Sequence, residues 1–171
     1  MSIDLGDPLR WRETLPARQP ASSEVAAGAV AGTIGGLVAW GTAMALLPEG
    51  SGGLLPLRLV AATLFGTSAV APGNVGIPAF VGALLVLFAA IAYGLVFVSI
   101  LRPAAPLRRS IFVGAVYGAL LYVPAWLVVV HIFDPLLYET ARGRGLAILG
   151  LHALYGATMG FLVPFLRRIL P

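Results

Sequence analysis

The sequence predicts an all-α integral membrane protein: a four-helix transmembrane bundle with both termini cytoplasmic and a short interfacial or re-entrant helix after the first span. Three observations predict it. Hydrophobic residues make up 59% of the chain, charged residues only 11%, and mean hydropathy is +0.95, outside the range of soluble domains. Uncharged apolar runs at 25–47, 79–101, 110–133 and 146–166 each reach the roughly 20 residues that a helix needs to cross the hydrocarbon core. The arginines then fix a sidedness.

All 11 basic residues are arginine. With four spans, Arg10, Arg12, Arg18, Arg102, Arg108, Arg109, Arg167 and Arg168 fall on one side and Arg58, Arg142 and Arg144 on the other. Counting the apolar stretch after the first span as a fifth crossing erases that bias. The positive-inside rule therefore favours four spans with cytoplasmic ends. Lysine-free, arginine-rich usage points to a GC-rich bacterial genome and hence to a bacterial inner (cytoplasmic) membrane. Two units follow: a cytoplasmic tail, 1–24, and a membrane domain, 25–171.

In the tail, Trp11 stands between Arg10 and Arg12, a group suited to docking on a partner because tryptophan and arginine are favoured contact residues. The run 25–47 is too long for the apolar core of a signal peptide. It reads "GAVAGTIGG" near its start, placing Gly28, Gly32 and Gly36 on one stripe where a second helix backbone can approach. The next stretch, 57–70, is too short to span and is expected to be an outer interfacial helix with Arg58 snorkelling to the headgroups. The turn "APGNVGIP" leads from it into the second span.

Gly114 and Gly118 in the third span, and Gly156 and Gly160 in the fourth, repeat the four-residue glycine spacing. Pro124 is expected to kink the third span. Tyr-Gly pairs recur at Tyr93, Tyr117 and Tyr155, which raises a duplicated hairpin relating the first two spans to the last two, as in parallel repeats of some transporters. Tyrosine hydroxyls inside a bundle need partners, and Thr33, Thr42, Ser99 and Thr158 are the hydroxyls available. His152, Gly156, Gly160 and Pro164 share one face of the last helix, so the His152 ring is expected to find its hydrogen-bond partner on a neighbouring helix.

Chemistry has few places to sit. Cysteine is absent, and no arginine, aspartate or glutamate lies in the middle of a span, where pumps and ion-coupled carriers place such groups. No H-E-x-x-H, G-x-S-x-G or Walker sequence occurs, so no enzyme is expected. His131, Asp134, Glu139 and His152 form the candidate metal set, although Asp134-Pro135 is already explained as a helix stop. His131, His152 and Tyr155 are the candidate cofactor-binding residues, for haem, quinone or pigment; no cofactor signature accompanies them. The net charge of +4 reflects topology, so lipid is the expected partner and nucleic acid is not.

The segment "HALYGATMG", with H-x-x-Y-G-x-x-x-G at His152, Tyr155, Gly156 and Gly160, resembles the last helix of small four-span bacterial inner-membrane proteins without an assigned activity. Their layout, with a short outer helix after the first span, is similar across roughly 21–168. The resulting expectation is a non-catalytic accessory or structural subunit of a larger membrane complex, respiratory or photosynthetic, with other integral membrane subunits as partners. The alternatives are a small homo-oligomeric transporter or channel, and a haem-, quinone- or pigment-binding subunit.

Overall fold

The computed structural model describes residues 21–46, 53–102 and 105–170; Arg10, Trp11 and Arg12 lie outside them. Among the described residues there is no strand. The order is α1 (Ala21–Leu46), α2 (Leu55–Phe65) with a 3₁₀ turn at Gly66–Val70, and α3 (Gly76–Ile100). Then come α4 (Leu107–Tyr122), a π-helical stretch (Val123–Val130), α5 (His131–Phe133), α6 (Pro135–Ala141) and α7 (Gly145–Ile169). Four helical stretches are long and apolar enough to cross a membrane: Ser22–Ala45, Gly76–Ile100, Leu107–Phe133 and Gly145–Ile169. A helix is the natural choice there, because lipid offers its backbone no hydrogen bonds.

The bundle is assembled as two antiparallel hairpins. In the first, Gly28 of α1 lies against Gly94 of α3, and Gly32 against the Ala90 carbonyl. In the second, Gly114 of α4 lies against Gly156 of α7, and Gly118 against the His152 carbonyl. Gly28, Gly32, Ala90 and Gly94 in one hairpin thus hold the positions of Gly114, Gly118, His152 and Gly156 in the other. The chain echoes this, with "GAVAG" at 28–32 against "GAVYG" at 114–118, and Tyr93-Gly94 against Tyr155-Gly156. Both hairpins run in the same direction.

A third surface joins the hairpins. A Cβ on Gly35 of α1 would sit 3.1 Å from the Tyr155 ring and 3.3 Å from Met159, both on α7. The Tyr155 hydroxyl donates to the Ala90 carbonyl of α3 at 2.6 Å, and the Tyr117 hydroxyl donates to the Tyr93 carbonyl at 2.8 Å. These carbonyls, not the threonine and serine hydroxyls, meet the tyrosines. Thr42, Ser99 and Thr158 instead bond back to their own helices, at Val38, Val96 and Leu154. A helix carbonyl keeps a lone pair free after its own ladder bond, so it can take a second donor.

Arg167 closes one end of the bundle. The residue is 8% exposed, and its guanidinium donates to the Val98 and Leu101 carbonyls at the end of α3 and pairs with Glu24 of α1 at 3.3 Å. That pairing belongs with the early start of α1, which is already helical at Ala21 rather than at residue 25.

At the other end α2 packs on α3, with Gly82 against the Leu57 backbone. Arg58 corrects an expectation: it does not reach outward to headgroups but is buried, donating to the Ala69 and Ala71 carbonyls at 2.9 Å each. These are the carbonyls closing the 3₁₀ turn, which a charged fork satisfies well in an apolar setting. Thr63 of α2 donates to Asp134, whose other oxygen caps α6 at the Leu137 N–H. Thus α2 and α6 form one lid, and Gly143 (φ 89°) makes the turn into α7 that a side chain would strain.

Candidate functional site

Between the hairpins, beneath that lid, lies a cavity of about 400 Å³. It arises because each hairpin is closed tightly while the walls facing each other carry small side chains: Ala39 and Ala43 on α1, Ala89 on α3, Ala125 in the π-helical stretch and Ala147 on α7. The volume lies in the range of roughly 300–1,000 Å³ occupied by small-molecule sites. Lid residues Leu59 and Leu137 line its top and Tyr155 lines it lower down. Ala89 and Val129, also lining residues, are exposed, so the cavity opens at the lateral surface.

Pro124 explains one wall. Lacking an N–H, it cannot bond the preceding turn, and the chain answers with a π-helical stretch that begins at Val123 and runs to Val130. The wider turn presents Ala125, Trp126, Val129 and Val130 to the cavity. Trp126 is held by stacking on Tyr122, ring centroids 6.3 Å apart, and by Tyr138 at 5.9 Å. Pro164, by contrast, sits inside an α7 that continues past it.

His152 lines the cavity, and its hydrogen bond runs within its own helix rather than to a neighbour: Nδ1 to the Ile148 carbonyl at 2.9 Å. Gly118 of the neighbouring α4 lies directly on the His152 backbone. A carbonyl only accepts, so Nδ1 carries the proton and Nε2 of the neutral ring presents a lone pair. Tyr122 meets the imidazole edge-on at 5.8 Å.

The remaining candidates are dispersed. His131 is exposed and rests against the Tyr138 ring at 4.6 Å, Glu139 pairs with Arg142 at 3.6 Å, and Asp134 is committed to α6 and Thr63. Among the described residues no three histidine, aspartate or glutamate side chains come together as a metal site. His152 and Tyr155 share the cavity, while His131 does not line it. Of the glycines, Gly36 faces the Ala90 Cβ and Gly160 the Ser110 carbonyl; Gly35, Gly82 and Gly94 are further close approaches not singled out from the sequence. The Tyr93-Gly94 pair was a signal for Gly94, although such a pair does not name the helix that meets it.

Burial raises the Asp134 carboxyl above the ordinary aspartate value, against the lowering effects of the Leu137 N–H and Thr63. Thr63 also points its hydroxyl at the Val60 carbonyl, 2.8 Å away.

Comparison with family models, with curated proteins and with solved structures returned no match for this chain. The cavity is thus the feature on which a functional reading stands.

Proposed function

We propose that this is a non-catalytic membrane protein that binds an apolar small molecule, taken up sideways from the bilayer, in the cavity between its two hairpins. The carrying observation is the cavity itself: about 400 Å³, walled by alanine, valine, leucine and aromatic side chains with a few polar atoms. The lid, in which Thr63 and Asp134 tie α2 to α6, belongs at the membrane's edge because both helices are too short to cross, whereas Ala89 and Val129 border the lateral opening. The distribution of arginines supports a bacterial inner membrane and cytoplasmic termini.

Binding of a fluorescent apolar probe to the purified protein tests this directly. Ala89→Trp fills the mouth from an exposed position and is expected to abolish binding without lowering the melting temperature. Unchanged probe binding in that variant refutes the cavity reading.

A second reading, a small carrier, is favoured by the cavity's place at the junction of two hairpins that run in the same direction, since transporters built from parallel repeats keep their sites at such a junction. Flux of the bound compound in proteoliposomes separates carrier from binding protein. An accessory role in a respiratory or photosynthetic complex is compatible with either; Arg10, Trp11 and Arg12, which suggested it, lie outside the described residues.

A further inference from the structure

We propose that His152 selects the polar end of the cavity's occupant by accepting a hydrogen bond, so that the ligand is a lipophilic phenol or alcohol with its hydroxyl directed at Nε2. The inference rests on the cavity reading above and adds the chemistry of what fits.

The bond from Nδ1–H to Ile148 is the starting point, because it leaves Nε2 as an acceptor with no partner among the described residues. Fixing the imidazole through its other nitrogen is also how proteins aim a histidine at a ligand. Two residues that line the same cavity carry donors likewise without a hydrogen-bond partner among the described residues. The Trp126 indole N–H and the Tyr93 hydroxyl form no hydrogen bond there, the Tyr93 carbonyl being the group that Tyr117 takes. Unmet polar groups in an apolar cavity carry a desolvation penalty that an occupant removes.

A hydroxyl matches this set because it gives one proton and accepts another. It donates to Nε2 and accepts from Tyr93 or Trp126. A ketone, an ether or an ester cannot donate and leaves Nε2 bare, and a carboxylate sets its negative charge against the Nε2 lone pair. The alanine-lined walls then receive the apolar remainder of the molecule.

The test uses the full chain in one detergent with two compounds of nearly equal shape, 4-dodecylphenol and its methyl ether, 4-dodecylanisole. The wild type is expected to prefer the phenol about tenfold, the size of one well-placed hydrogen bond in an apolar site. His152→Phe should bring phenol binding down to the ether's and leave the ether unchanged. The ratio of ratios cancels any difference in micelle partitioning. A phenol preference that is equal in wild type and His152→Phe overturns the proposal, and so does the absence of any preference.

A spectroscopic readout covers the case in which the variant does not fold. The chain has only 2 histidines, so 15N-histidine labelling gives two side-chain sets, with the exposed His131 as the internal reference. The phenol should shift Nε2 of His152 and the ether should not; equal shifts overturn the proposal. If neither compound binds the wild type, the cavity reading itself falls, and this proposal with it.

Discussion

Replacing Gly156 with alanine should part the second hairpin. A Cβ there would lie 2.7 Å from the Gly118 nitrogen and 2.8 Å from the Gly114 carbonyl carbon, both backbone atoms that cannot rotate away. Carbon contacts settle at about 3.5–4.0 Å, so α4 and α7 must separate by about 1 Å along their whole line of contact. Overpacking of this kind costs about 1–3 kcal/mol, and the helix preference of alanine over glycine returns about 0.5–1 kcal/mol of it. The net loss, up to about 2.5 kcal/mol, corresponds to a fall of up to roughly 10 °C for a chain of this length. Gly150 is the control on the same helix. A methyl group added at Gly150 would meet nothing within 4 Å, so Gly150→Ala keeps the helix gain without the clash and should melt at or above the wild type. Thermal unfolding of both variants in one detergent decides the matter. If Gly156→Ala melts as high as Gly150→Ala, the two helices are not held at backbone contact and the hairpin description is wrong.

Three further outcomes are expected. Arg167→Met should lower stability in the same assay by about 2–3 kcal/mol, since charge-assisted bonds to Val98 and Leu101 are lost and Glu24 is left unpaired, while Glu24→Gln, at the more exposed end of the pair, should cost less. Tyr155→Phe should cost about 0.5–1.5 kcal/mol through the lost bond to Ala90, measurable as a lower melting temperature with the apolar-probe affinity retained. Because burial raises the Asp134 carboxyl, the folded state holds this proton more tightly than the unfolded chain. Its contribution is therefore fully present below the ordinary aspartate value and is lost as pH rises through the folded-state value. Asp134→Asn keeps an N-cap for α6 and should flatten that pH dependence; an unchanged pH profile in the variant would exclude Asp134 as its source.

The candidate site was legible only in pieces. His152 stood out as a polar residue in an apolar run, and Pro124 as a break in one. The direction of the imidazole was not readable, because spacing places a residue on a helix face but does not say whether its nearest acceptor is across the groove or one turn below. Nδ1 of that ring bonds to Ile148 one turn below, while Gly118 of α4 meets the backbone of the same residue. Arg58 was misjudged for a related reason. Snorkelling is the default for a lone arginine near a boundary, and the carbonyls of Ala69 and Ala71 that claim it instead exist only once the chain has turned at Gly66–Val70.

What the amino-acid order determines by itself is the solvent and the count: long uncharged runs can satisfy their backbones in lipid only as helices, and the described residues hold four of them. Charges gathered at the helix ends follow from the same rule, since burying them at mid-membrane is costly. The tertiary structure alone decides which glycine meets which backbone, which carbonyls receive the tyrosines, and that facing alanines leave a cavity rather than a closed core. Those depend on the register between helices distant in the chain. Register is set by the summed contacts of whole surfaces, and no local run of residues contains that sum.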